Sequence, residues 1–227
     1  MGRKRIWEID LLRAAAIVLM TAFHTVYDLN VFLGMDIVWH RGFWFWVGKA
    51  SALIFIFISG ISSGLGSKTV KRGLLVLGLG LGISAVTYFV LGDEYLRFGI
   101  LHFLGACMLL SPALRKLPAW GLALLALTVA CLARTVEEMT VSTFLLLPLG
   151  FKYAGFSSAD YYPLIPYLAV FTLGIIAYKL YYYQRRSLFN FQAQSSIIAF
   201  LSRNSLLIYV VHQPLILGLL LLCKRLT

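Results

Sequence analysis

The sequence predicts an all-α fold: a polytopic membrane helix bundle of about seven transmembrane helices, with the N-terminus cytoplasmic. Three observations carry that expectation. Of 227 residues, 60% are hydrophobic and 13% charged, whereas soluble domains run about 45–50% apolar and about 25% charged. The apolar residues gather into runs close to the roughly 20 residues that a helix needs to cross hydrocarbon with its backbone polar groups satisfied internally. The 20 Lys and Arg, against nine Asp and Glu, fall in short clusters between those runs. That is the pattern of bilayer loops rather than of a nucleic-acid surface.

The first span runs from about Leu11 to Leu33. The basic cluster before it imitates a secretory signal, but Glu8, Asp10 and Arg13 interrupt the pattern and no clean small-x-small cleavage site follows. It reads as a retained span. The second runs from Phe43 to Leu65, the third from Gly73 to Gly92 and the fourth from Phe98 to Leu114. A short fifth covers Pro118 to Ala133, the sixth Pro163 to Tyr183, and the seventh Asn204 to Cys223.

With the N-terminus inside, Arg3, Lys4, Arg5, Lys68, Lys71, Arg72, Arg115, Lys116, Lys179, Arg185 and Arg186 share the inner side, eleven basic residues. The outer side holds six: Arg41, Arg97, Arg134, Lys152, Lys224 and Arg225. Eleven against six favours N-in and C-out. Between spans, Thr135 to Tyr162 is expected to be re-entrant or interfacial on the outer side, since VSTFLLLPLGF is too short to cross. Leu188 to Arg203 is expected to be an amphipathic surface helix on the inner side, with Phe189, Phe191, Ile197, Ile198 and Phe200 alternating with polar positions. Trp39, Trp44, Trp46 and the KLYYY run fit interfacial aromatic belts. No internal repeat is visible, which weakens an inverted-repeat transporter. The whole chain, 1–227, is expected to be one transmembrane domain.

Cys107, Cys131 and Cys223 form no CxxC pair, so neither a disulfide framework nor a zinc site is encoded, and no metal is expected. The glycines of GLLVLGLGLG and SGISSGLGS lack the Lys-Ser/Thr of a phosphate loop; close helix packing is their expected role.

Ionisable side chains at membrane depth need a partner, a wet cavity or a function. His24 lies past the midpoint of the first span, with Asp28 one turn later on the same face. His40 stands at the mouth of the second span and Lys49 about one third of the way in. His102 falls in the outer half of the fourth, and His212 with Gln213 near mid-depth of the seventh. Convergence of all four histidines suggests one cavity. Asp28 could accept a hydrogen bond from His24, fixing its tautomer and raising the basicity of the other nitrogen, as a general base or acyl-accepting imidazole requires. The competing interpretation is structural, because His and Asp also hydrogen-bond helices together. Arg13, three residues after Asp10, is explained by a salt bridge or snorkelling, and Lys49 by a site cation or a snorkelling stem.

The opening EIDLLRAAAIVLMTAFHTVYDLN resembles the N-terminal signature of bacterial membrane proteins grouped with the catalytic domain of heparan-alpha-glucosaminide N-acetyltransferase. YLRFGILHFLGACMLLS, SADYYPLIPYLAVFTLGI and SRNSLLIYVVHQPLI resemble that family's remaining blocks, so the likeness covers about Trp7 to Ile216. It implies a multi-pass acetyltransferase of the plasma membrane that takes an acyl group from cytoplasmic acetyl-CoA or another acyl-CoA. The acceptor it implies is an amino sugar, glycolipid or cell-surface glycan on the far side. His24 and Asp28 match the FHxxxDLN portion, His102 the FGILHFLG portion, Asp160 the DYYPLIP portion, and Asn204, His212 and Gln213 the NSLLIYVVHQP portion; Arg97, just before the FGILHFLG portion, is a further candidate binding residue. His40 is an alternative match to the catalytic histidine of the lysosomal enzyme, because both precede the second span. The chain departs from that enzyme in being much shorter, and carries Ala14 where many relatives have Gly.

On this expectation Lys68, Lys71, Arg72 and either Arg13 or Arg203 meet the CoA phosphates, His24 acts as base or acyl carrier, and His102 or His212 assists the thioester. The expected partners are acyl-CoA, a sugar acceptor, the lipid bilayer and a second copy of the chain, with no nucleic acid. The alternatives are a proton-coupled small-molecule or lipid transporter using the same His and Asp residues, and a haem-binding electron carrier with paired imidazoles.

Overall fold

The computed structural model describes residues 5–191 and 195–226. Arg3 and Lys4 of the inner basic set, and residues 192–194 of the expected surface helix, lie outside the described residues. The fold is all-α, 76% helical with almost no sheet. Among the described residues six helices are long and apolar enough to cross a membrane, and a seventh, Ile100–Leu114, is apolar but shorter. Together they coincide with the seven expected spans. The chain divides into two compact units, Met1–Phe55 with Ser187–Thr227, and Ile56–Arg186.

The first unit contains α1 (Trp7–Leu33), the opening part of α2 (Gly42–Leu65), α7 (Ser196–Arg203) and α8 (Ser205–Leu226). Helix α1 stops at Gly34, whose φ of 69° is open to glycine at little steric cost, and the Gly34 and Met35 amides return to the Asn30 and Leu29 carbonyls. Helix α2 lies close against α1: a Cβ on Gly48 would meet the Phe23 ring at 2.8 Å, and Ser51 Oγ donates to the Ala16 carbonyl at 2.9 Å.

A polar knot fastens α7 to the start of α1. Arg5 donates to both Asp10 carboxylate oxygens at 2.7 Å. Ser202 Oγ donates to Asp10 Oδ1 at 2.7 Å, and Arg13 donates to Ser202 Oγ at 3.0 Å. The surface helix is shorter than expected. Residues 188–191 form bends rather than helix, because Glu8 accepts from the Leu188 amide at 2.8 Å and from Ser187 Oγ at 3.0 Å, pinning the backbone. Phe189 and Phe191 pack around Trp7, with ring centroids 5.6 and 5.1 Å away.

The second unit holds the end of α2, then α3 (Thr69–Leu91), α4 (Ile100–Leu114), α5 (Ala119–Glu138) and α6 (Leu164–Ala177), which continues through a π turn, Tyr178–Tyr182. Helix α3 packs on α4, and α5 on α6. Small residues make the close approaches. A Cβ on Gly60 would run into the Phe171 carbonyl and one on Gly174 into the Phe57 carbonyl, so α2 and α6 cross backbone to backbone. Gly73 and Gly105 do the same for α3 and α4, with a Gly105 Cβ only 2.7 Å from Leu77.

Two boundaries differ from the sequence expectation. Helix α3 begins at Thr69 rather than Gly73, so the Lys68–Arg72 cluster forms its first turn. Helix α5 continues past Ala133 to Glu138, where Arg134 and Glu138 pair at 2.9 Å across one exposed turn. The remainder of 135–162 is a two-residue parallel ladder, β1 (Thr140–Val141) on β2 (Lys152–Tyr153), with a 3-10 turn, Phe144–Leu149, between them.

Candidate active site

Two of the four histidines meet. In the first unit the His24 and His212 rings lie edge-on, with centroids 4.7 Å apart and planes at 72°. Each ring is tied to its own helix. His24 Nδ1 is 3.0 Å from the Met20 carbonyl, and His212 Nδ1 is 2.5 Å from the Tyr209 carbonyl. A carbonyl only accepts, so both Nδ1 atoms carry the hydrogen and both Nε2 atoms present a lone pair. The backbone thus sets the tautomer that a general base needs.

Asp28 lies one turn beyond His24 and is fully buried. It does not orient His24 as expected. Gln213 Nε2 donates to Asp28 Oδ1 at 2.6 Å, joining α1 to α8 beside the ring pair, while the His24 Nδ1 hydrogen goes to the Met20 carbonyl of its own helix. Asp28 Oδ2, Gln213 Oε1 and His212 Nε2 are buried and make no hydrogen bond among the described residues. Three acceptor atoms on adjoining side chains are thus buried without donors, and such acceptors favour a partner that brings N–H or O–H groups.

His40 is exposed and stands apart from the pair. Its ring packs edge-on against Trp39 at 5.6 Å, and Trp39 in turn against Tyr27 at 4.9 Å. Trp39 is held by a 3.0 Å hydrogen bond to Asn30 Oδ1. Lys49 is half-buried on α2 between the Gly48 and Ser51 contacts with α1. Arg13 belongs to the knot at Ser202 and Asp10. Asn204 closes α7, its side-chain amide donating to the Phe200 carbonyl at 2.9 Å.

In the second unit His102 is buried at 3% exposure and has the opposite tautomer. Ser84 Oγ donates its only proton to the Leu96 carbonyl, so toward His102 Nε2, 3.2 Å away, it accepts. The hydrogen is therefore on Nε2, and Nδ1 lies buried against Gly80 with no hydrogen-bond partner among the described residues; a Cβ on Gly80 would approach it to 3.1 Å. Asp160 caps α4 from a distant loop, its Oδ2 accepting the Ile100 amide at 3.0 Å. Burial pushes the Asp160 carboxyl up to about 6, against the opposing pull of that amide. Arg97 staples the same loop. Its guanidinium covers the Tyr95 ring at 4.5 Å and donates to the Asp93 and Ser157 carbonyls.

Sequence reasoning missed the groups that define the two environments. Ser84 lies one turn after Gly80, and only that shared face pointed to it. The Met20 and Tyr209 carbonyls leave no trace in a sequence. Among the described residues no three His, Cys, Asp or Glu side chains are grouped to hold a metal ion.

These features define a multi-pass helical membrane protein with a tautomer-fixed imidazole pair, one ring half-buried and one buried, beside a carboxylate. The chain belongs to the family of the heparan-alpha-glucosaminide N-acetyltransferase catalytic domain, whose model matches residues 5–214. Transmembrane acetyl transfer is that family's general activity. No curated protein and no solved structure matches the chain.

Proposed function

We propose that this chain is a single-domain plasma-membrane enzyme that moves an acyl group, acetyl in the simplest case, from acyl-CoA on the cytoplasmic side to an amino sugar or surface glycan on the other. The observation that carries this reading is the His24–His212 pair with both Nε2 lone pairs presented beside Asp28 and Gln213. His24 Nε2 takes a proton from the acceptor nitrogen or oxygen as that atom attacks the thioester carbonyl. The new C–N or C–O bond forms, the C–S bond breaks, and the proton passes to the departing thiolate, so that free CoA leaves. In a two-step version the imidazole itself carries the acyl group between donor and acceptor.

Asp28, held by Gln213, lies near enough in sequence and helix face to balance the imidazolium that forms during transfer. The acceptor lining of Asp28 Oδ2 and Gln213 Oε1 suits the hydroxyl and amine donors of a sugar. His102 is assigned a packing role, because Ser84 fixes it in the other tautomer at a tight helix crossing.

The buried, half-partnered Asp28 favours one competing reading, proton-coupled transport, since a carboxylate and two imidazoles can relay protons equally well. The two separate in one experiment. Proteoliposomes with labelled acetyl-CoA and a panel of amino sugars should transfer label, and His24→Ala should lower the rate by about 100-fold or more. Wild-type rates in His24→Ala reject the catalytic assignment, and proton-coupled uptake without acyl-CoA supports the transporter.

A further inference from the structure

An open cleft of about 390 Å³ lies in the second unit at the turn from α2 to α3 and the end of α4. Its lining includes Lys68 and Lys71 from the start of α3 and Arg115 from the end of α4, with Pro112, Thr69 and Leu74 supplying the walls. Lys68 and Lys71 are exposed and Arg115 is half-buried. None of the three forms an ion pair with a carboxylate among the described residues.

The distribution of charge in this unit is one-sided. Its carboxylates, Asp93, Glu94, Glu137, Glu138 and Asp160, follow the end of α3, end α5, or cap the start of α4. Arg72, Lys116, Lys179, Arg185 and Arg186 add further cations after α2, α4 and α6. An inner-side excess of Lys and Arg accounts for basic loops in general. Lys71 and Arg72 sit in the first turn of α3, where the helix dipole favours acids and no acid is present to offset them. That excess does not account for Arg115 arriving from another helix to line the same hollow. Converging cations of this kind repel one another unless an anion joins them.

The geometry points to a phosphate-binding cleft formed by Lys68, Lys71 and Arg115, taking a phosphomonoester or phosphodiester group. Arg115 supplies the forked donor and the lysines the point charges that such a group accepts. Its side chain donates from Nε to the Ser111 carbonyl at 3.4 Å, which leaves both terminal guanidinium nitrogens uncommitted by that bond. Two sources carry this chemistry: the nucleotide end of the acyl donor and an anionic phospholipid headgroup. The first rests on acyl-CoA as donor; the second does not.

The test uses the full chain in phosphatidylcholine nanodiscs. Adenosine 3′,5′-bisphosphate, the phosphate-bearing end of CoA without its thioester arm, is titrated in one arm. In the other, nanodiscs containing phosphatidylglycerol are read for retained lipid by native mass spectrometry. The variants are Lys71→Gln/Arg115→Gln, the charge-retaining Lys71→Arg/Arg115→Lys, and Arg134→Gln at an exposed position elsewhere. Wild type should bind at least one probe. The neutral double variant should weaken that probe about tenfold or more, while the charge-retaining pair and Arg134→Gln bind within about twofold of wild type. Loss in the first arm assigns the nucleotide, and loss in the second the lipid. If neither probe binds wild type, or the neutral variant binds both as wild type does, the cleft is not a phosphate site. His24→Ala leaves this binding intact, so failure of the transfer reading is read separately from failure of the cleft.

Discussion

The His24–His212 pair and His102 are the same residue type placed in apolar helices, yet their surroundings make them different chemical groups. In the pair, backbone carbonyls one turn back take the Nδ1 hydrogens and leave Nε2 bare on each ring. At His102 a serine hydroxyl, already committed to a carbonyl, takes the Nε2 hydrogen, and Nδ1 is pressed against a glycine at a helix crossing. The pair adjoins a carboxylate held by Gln213, the neighbour of His212; His102 has the Ser84 hydroxyl and the Phe98 ring. A histidine in a span becomes a candidate base when its hydrogen is anchored by backbone and a second imidazole and a carboxylate lie beside it. It becomes a packing residue when both sides are filled by neighbouring helices.

The largest effect should come from removing a ring of the pair. His24→Ala should lower acetyl transfer about 100-fold or more, with His212→Ala following it, whereas His102→Ala should act mainly on stability, by about 2–3 kcal/mol from the lost packing and the orphaned serine. Transfer assays normalised to folded protein check this. An equal loss of transfer in His102→Ala would break the distinction between the sites. Asp28→Asn comes next. It keeps a polar group for Gln213 but removes the charge, and should slow transfer about tenfold while melting close to wild type. Gly80→Ala should cost about 1–3 kcal/mol, seen as a lower melting temperature, because the new methyl meets the His102 amide and Nδ1 at 3.1 Å. Its transfer rate per folded molecule should be unchanged.

The smallest effect concerns Asp160. Its carboxyl sits at about 6 in the folded chain against an ordinary 3.8, so its protonated form favours folding. That contribution is complete below about pH 4 and is lost as pH rises through 6. Melting temperature in detergent should therefore carry a falling component between pH 4 and 7 that is absent from Asp160→Asn, which keeps an oxygen for the Ile100 amide.

The helical architecture was legible because hydrocarbon thickness fixes how long an apolar run must be, and all seven runs formed helices. The ends were less legible. Arg134 and Glu138 stabilise one more turn of α5 by pairing, which a hydropathy reading counts as loop. The 188–191 stretch has the alternation of a surface helix, yet Glu8, about 180 residues earlier, captures its backbone. The site was half legible. Spacing placed His24 and Asp28 on one face, and His212 with Gln213 fell at a matching depth. Which partner Asp28 takes depends on a contact across 185 residues, and a favourable local spacing lost to it. Arg97, Asp160 and Asn204 are candidate binding residues in the sequence, and in the structure they are a loop staple, a helix cap and a helix end.

Nitrogen-15 solid-state spectra of histidine-labelled protein in bilayers examine the tautomers directly, with each ring assigned by its loss in single His→Asn variants. His24 and His212 should show protonated Nδ1 and bare Nε2, and His102 the reverse, with only the pair shifting when acyl-CoA is added. Protonated Nε2 on His24 and His212, or an acyl-CoA response confined to His102, would contradict the assignment of the pair as the reacting base.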